Sequence, residues 1–236
     1  MRLSWGGWNG WSAAAGAGGG GGALARVQGT GKGTSTSGTV ALTFASPPSV
    51  GNGILVAVGV WWTIGPTIPT CADNRGNTYS TALSQLVGTN GVALYVCPAI
   101  TATGAPFTVT LSGAGAGTSM LAAAIDVSGV GTGLVVDRTA YATSASTTPA
   151  TGATAALTGS EVVTLALHII NANQASITVA AGSPTWTEEA ESLVALAGEI
   201  DSRVLTAAAG TTTSASWTAI TSSSWWAALV ACKAGT

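Results

Sequence analysis

The sequence predicts an all-β protein: a jelly-roll-like antiparallel β-sandwich over residues 24–236, preceded by a flexible Gly/Trp-rich N-terminal arm over residues 1–23. Three observations predict it. From Leu24 onward, short runs rich in β-branched and aromatic residues are punctuated by Gly, Pro, Asn, Asp or Ser at roughly 8–12-residue spacing, the rhythm of a sandwich or barrel. No segment carries a sustained helical apolar period with caps. Charged residues are 7% of the chain and apolar ones 47%. An ordinary soluble domain carries roughly 25% charge, so the missing charges are replaced by Gly, Ser, Thr and Ala.

The arm opens with "SWGGWNGWSAAAGAGGGGG", in which Trp5, Trp8 and Trp11 recur at every third position. Tryptophan gains most from leaving water, and glycine loses most freedom when fixed. The arm cannot bury its own rings, so it is expected to place them on a neighbouring molecule. "GTGKGT" lacks two residues of a phosphate loop, because Arg26 and Gly33 stand where Gly and Ser or Thr are required; it reads as a flexible continuation of the arm. "GTVALTFA" alternates, with Val40, Leu42 and Phe44 on one face. "GILVAVGVWW" is apolar on both faces and reads as a central strand. "CADNRGNTYS" supplies a tight turn with a left-handed position; its Asp73, Asn74 and Asn77 do not have calcium-loop spacing, so a structural hairpin is expected. "GVALYVCP", "PFTVTLSG" and "SMLAAAIDVSG" continue the strand series. "ATSASTTPATGAT", Ala142 to Thr154, reads as a long exposed loop. "EVVTLALHII", "ASITVAAG", "PTWTEEAE", "VALAGEIDS" and "SSSWWAALVACK" complete the series. The endings of the two halves, "MLAAAIDVSGV" and "WWAALVACKAG", echo each other, as two Greek-key halves of one jelly roll would.

Several function classes are excluded by composition. The formal net charge is −2 and the cations are Arg2, Arg26, Lys32, Arg75, Arg138, Arg203 and Lys233, so no basic face can meet nucleic acid. The longest apolar stretch, Ile54 to Trp62, is far short of the ~18–20 residues of a spanning helix, and no membrane insertion is expected. Cys71, Cys97 and Cys232 lack metal-ligand spacing and read as small buried hydrophobes; whether Cys71 and Cys97 pair is left open. The N-terminus lacks an unbroken apolar signal core, so synthesis in a cytoplasm, without export by the general route, is expected. No cofactor and no metal are expected.

Candidate chemistry is sparse. In "GEIDSRV", Glu199 and Asp201 alternate along a strand and share a face. Jelly-roll glycoside hydrolases of the laminarinase and lichenase type carry a similar Glu-x-Asp strand followed by a second glutamate. Here Arg203 stands at or near that place, so the required carboxylate pair is incomplete; an exposed polar face with an ion pair from Asp201 or Glu199 to Arg203 is expected instead. His168 in an apolar strand reads as a satisfied core histidine. The protein is expected to be no enzyme. In Trp61–Trp62 and Trp225–Trp226, one ring of each pair should enter the core and the other should lie outside. These four, with Trp186 and Trp217, are candidate contacts to subunits or glycans.

The order "GNGILVAVGVW … DNRGNTYS … VALYVCPAITATGAPFTVTLSG … LAAAIDVSGV … VDRTA … SEVVTLAL … TSSSWWAALVACK" resembles a group of concanavalin-A-type jelly-roll proteins of bacteriophages, which are minor tail, head decoration or fibre components. Asp126 stands where that pattern has Glu, and the Trp/Gly arm is outside it. The resemblance implies a virion component whose partners are other copies of itself and other virion proteins. The alternative is a carbohydrate-binding adhesin of the virion that recognises a host-surface glycan.

Overall fold

Alternation and apolar runs resolve into strands throughout the computed structural model, which describes residues 22–35, 38–61, 67–115, 117–182, 184–193, 197–206, 208–219 and 221–236. Among them there is no helix, hence none long and apolar enough to cross a membrane. The first half supplies β1 (Ala25–Ser35), β2 (Thr39–Thr43), β3 (Gly53–Trp61), β4 (Thr70–Asp73), β5 (Ser80–Val87), β6 (Asn90–Cys97), β7 (Thr108–Ser112) and β8 (Ser119–Ser128). The second supplies β9 (Leu134–Ser146), β10 (Glu161–Ile170), β11 (Ile177–Val179), β12 (Thr187–Ser192), β13 (Ala197–Thr206), β14 (Trp217–Ala219) and β15 (Ser223–Ala234).

Two five-stranded antiparallel sheets form the centre, ordered β1-β8-β3-β6-β5 and β12-β13-β10-β15-β9. A three-stranded sheet, β2-β7-β4, covers the outer face of the first, and the β11-β14 pair covers the second. The molecule is therefore an all-β antiparallel sandwich in which both central sheets are covered on both faces. That explains why β3, β6, β8, β10 and β15 are buried along almost their whole length. Leu55, Leu94, Ile125, Leu165, Leu167 and Val230 meet between the large sheets. Val40, Leu42, Val56, Val58, Val109 and Leu111 fill the first outer layer, and Ala166, Ile177, Trp217 and Leu229 fill the second. At Gly59 a Cβ would lie 2.3 Å from Ile169 Cγ2, so the glycine lets the two central sheets approach.

Each large sheet comes from one half of the chain, and the two strand orders correspond. Written from the other edge, the second sheet is β9-β15-β10-β13-β12, the same path as β1-β8-β3-β6-β5. In each half the small sheet pairs the strand that follows the middle member of the path with the strand before the last, β4 with β7 and β11 with β14. The echo between "MLAAAIDVSGV" and "WWAALVACKAG" thus marks equivalent strands, β8 and β15, of two jelly-roll-like units packed back to back. It does not mark two halves of one jelly roll.

Three further expectations change. "GTGKGT" is not an extension of the arm: Gly29 to Thr34 lie in the edge strand β1, paired with β8. Cβ atoms at Gly29 and Gly31 would lie 1.9 Å from Glu189 Oε2 and 1.8 Å from the Glu189 carbonyl oxygen, so these glycines admit β12 against β1. "ATSASTTPATGAT" is exposed over much of its length, as expected, but it is not a long free loop. Its first five residues end β9, and the rest is pinned along residues 211–219 by Thr151 N–H to Ala215 O (2.9 Å), Thr154 N–H to Thr213 O (2.9 Å) and Trp217 N–H to Pro149 O (2.9 Å). The Asp73 turn has Gly76 at φ 80°, as its residues predict, but it is no hairpin. β4 and β5, on either side, lie in different sheets, so the turn hands the chain from one layer to another.

Candidate functional site

Alternation along β13 sends Ile200 into the central core and Glu199, Asp201 and Arg203 toward the outer layer. Directly across from Glu199 in the register stands His168 of β10, on the same outer face. From the covering layer, Trp217 of β14 closes over both. Its ring centroid is 4.6 Å from that of His168, and its Nε1–H donates to Asp201 Oδ2 at 2.7 Å. All four are sealed: Glu199 is 3% exposed, Trp217 1%, and His168 and Asp201 0%. Sheet alternation put the carboxylates on one face as expected, but the covering layer makes that face interior.

Burial dominates the electrostatics. Desolvation pushes the Glu199 and Asp201 carboxyls well above the ordinary carboxylate range; the two repel each other, and Glu188 and Glu191 add to the repulsion on Glu199. Both carboxyls therefore favour the protonated form over a wider pH range than exposed carboxyls do. Burial drives His168 down to about 3, so its ring is neutral. Neither ring nitrogen has a hydrogen-bond partner among the described residues, nor do Glu199 Oε2 and Asp201 Oδ1. His168 is a core residue, as expected, but not a satisfied one. Among the described residues no three His, Cys, Asp or Glu side chains converge as metal ligands.

Two residues along the same strand, the face opens. Arg203 makes no ion pair with Asp201 or Glu199, contrary to expectation. Its guanidinium lies over the Trp186 ring, 4.1 Å from the centroid. Nη2–H donates to Thr213 Oγ1 at 2.8 Å and to the Ser214 carbonyl at 3.3 Å. With Gly182 and Ser216 these residues line an open groove of about 270 Å³. A second groove, of about 410 Å³, lies on the outer face of the first half and is lined by Tyr79, Thr81 and Tyr95 among others. The two are topologically equivalent. Tyr95 lies on β6 and Arg203 on β13, the fourth strands of their sheets, and each groove opens where the fifth strand leaves the covering layer.

Of the tryptophans singled out, Trp5, Trp8, Trp11 and Trp62 lie outside the described residues. Trp61 is half-buried against the central core. Trp225 and Trp226 do face opposite sides of β15, but both are buried, one in the outer core and one in the central core. The sheet has no bare face for the second ring to occupy. Trp217 is likewise enclosed, and Trp186 alone of the six flanks a groove among the described residues. The Asp73 oxygens are taken by internal donors: Arg75 N–H (2.8 Å), Asn77 N–H (3.2 Å), Asn77 Nδ2–H (2.9 Å) and Tyr79 O–H (3.0 Å). That fits the structural reading of the turn. Cys71, Cys97 and Cys232 are free thiols, and burial pushes all three up, Cys97 to about 11.

Sequence reasoning missed the Arg26–Glu189 pair, in which Nε–H and Nη2–H reach the two carboxylate oxygens at 2.5 and 2.7 Å, with Ser202 O–H on the same carboxylate. It noted Asp126 but missed its partners: the buried carboxylate is held by Asn52 Nδ2–H (2.7 Å) and Gln28 Nε2–H (3.2 Å). Nothing in local pattern pairs residues 163 positions apart. Compared with known protein families, curated proteins and solved structures, the chain matches none.

Proposed function

We propose that the chain is a non-enzymatic structural component of a bacteriophage particle, of the decoration, minor tail or fibre kind, that assembles with other copies of itself. The observation that carries this reading is the distribution of its few charges. Of the nine acidic residues, Asp126, Asp137, Glu199 and Asp201 are buried, so these four lend no charge to the surface. What remains is uneven. The flank formed by β1 and β12 carries Arg26, Lys32 and three glutamates, Glu188, Glu189 and Glu191. The opposite flank presents β5, which has no charged residue, and the uncharged stretch of β9 from Thr139 to Ser146. Leu86 and Val87 of β5 are 42% and 44% exposed. Edge strands of free proteins are ordinarily blunted by charge or proline. An edge without either suits pairing with a second copy. The sequence resemblance to phage virion proteins supplies the setting, a particle built in the host cytoplasm.

Sedimentation velocity on the full chain tests assembly. Micromolar wild type should associate, and Gln85→Lys with Leu86→Lys should yield a folded monomer. A wild-type monomer at high concentration overturns the reading. Recovery of the chain with purified particles, at a fixed copy number, tests the setting. The second reading, a glycan-binding adhesin of the same particle, is favoured by one observation: the hydroxyl-lined groove beside Trp186 and Arg203.

A further inference from the structure

We propose that this groove binds a carboxylate-bearing sugar, with the Arg203 guanidinium receiving the carboxylate. The inference rests on the glycan reading above and adds the charge of the ligand to it.

Among the described residues Arg203 is half-buried and makes no ion pair, like Arg75, whereas Arg26 pairs with Glu189 and Arg138 with Asp137. The guanidinium is nonetheless fixed. Trp186 holds its face, and Thr213 and the Ser214 carbonyl take Nη2. Nε and Nη1 have no hydrogen-bond partner among the described residues, and Nε is buried. Nη1 faces Gly182, where a Cβ would lie 2.7 Å away; the missing side chain keeps that approach open. A rigid guanidinium loses little freedom on pairing, and its planar fork matches a carboxylate. Burial without a counter-charge also disfavours its ionised form, a cost that a bound anion removes.

The remaining lining favours a sugar over a bare anion. Thr213, Ser214 and Ser216 contribute hydroxyl and carbonyl groups, and the groove, about 270 Å³, sits just under the ~300 Å³ at which small-ligand sites begin. It therefore suits one ring. The acidic Glu199–Asp201 pair, further along the same face of β13, favours a singly charged ligand over a dianion. The equivalent groove in the first half is lined by no charged residue and serves as an internal control.

The test is calorimetric titration of the full chain with glucuronic acid, with glucose as the neutral parent and with acetate as the bare anion. Saturable glucuronate binding is expected, with glucose and acetate at least tenfold weaker. Arg203→Gln should weaken glucuronate at least tenfold. Ser214→Asp keeps Arg203 and adds a competing carboxylate from an exposed position, and it should do the same. Should Arg203→Gln fail to fold, Ser214→Asp carries the test. Glucose binding as tight as glucuronate overturns the carboxylate assignment and leaves the glycan reading standing. Equal binding of acetate overturns the sugar. Glucuronate binding that survives both substitutions overturns the assignment to this groove. Absence of binding by all three ligands overturns this inference and the glycan reading together.

Discussion

At the scale of the residue, the Glu199–Asp201–His168 cluster makes folding depend on pH in two opposed ways. The two carboxyls have folded-state pKa values above their unfolded ones, so in the range above ordinary carboxylate titration the folded chain holds more protons than the unfolded chain. Stability is then fully present at low pH and falls as pH rises through the raised values. His168 acts in the other direction. Its folded value, about 3, lies below the ordinary 6.5, so the unfolded chain gains protons as pH falls below 6.5 and stability drops there. Glu199→Gln should flatten the alkaline arm, which we expect to be on the order of 1–3 kcal/mol between pH 5 and 9. His168→Leu should flatten the acidic arm. Thermal unfolding of the three proteins across pH 4–9 checks this; parallel curves for all three would contradict it. The carboxylates and His168 were legible individually in the sequence. Their sealing was not, because it is imposed by Trp217 from a three-residue strand with too few positions to show a period.

At the scale of the element, the seam between β1 and β12 joins the two halves along one flank. Glu189 is nearly buried, with its side chain 2% exposed, while Arg26 is 28% exposed. Truncating one member of a fully buried pair costs about 3–5 kcal/mol, and the exposed guanidinium lowers that here. We expect Glu189→Ala to cost about 2–3 kcal/mol, a loss of several degrees in Tm for a chain of this size. Gly31→Ala drives a methyl into the Glu189 carbonyl oxygen and should cost about 1–3 kcal/mol by overpacking. A double-mutant cycle on Arg26 and Glu189, followed by urea unfolding, checks the first, and the Gly31 single variant checks the second. The seam also shows which strands a sequence reveals. β3, β6, β8, β10 and β15 announced themselves through apolar runs, and β2 and β7 through alternation. β1 and β5 did not, because edge strands rich in Gly, Ser and Thr carry neither signal. Their assignment comes from partners in sheet order, which is long-range information.

At the scale of the whole molecule, the two halves repeat one strand path, and each leaves one face of its large sheet apolar. On the first that face carries Leu55, Leu94, Leu121 and Ile125; on the second, Leu165, Leu167, Ile169 and Val230. Each face finds its cover in the other half. Either half alone would expose a contiguous apolar sheet, far beyond what a free protein tolerates. It would also lose the seam at Arg26 and Glu189. The shared core thus makes a body whose units cannot part, and which meets the outside through its covering layers and its strand edges. Residues 129–133 connect β8 to β9, so the chain can be divided there. Expressed separately, residues 1–130 and 131–236 should each aggregate or remain without near-ultraviolet dichroism. Mixed during refolding, they should recover a soluble one-to-one complex with the dichroism of the intact chain. The repeat alone would allow two independent domains; the shared core forbids them. A soluble, cooperatively unfolding half would show that the covering layer and one sheet suffice, and the central core between the large sheets would then be an interface, not the structural centre.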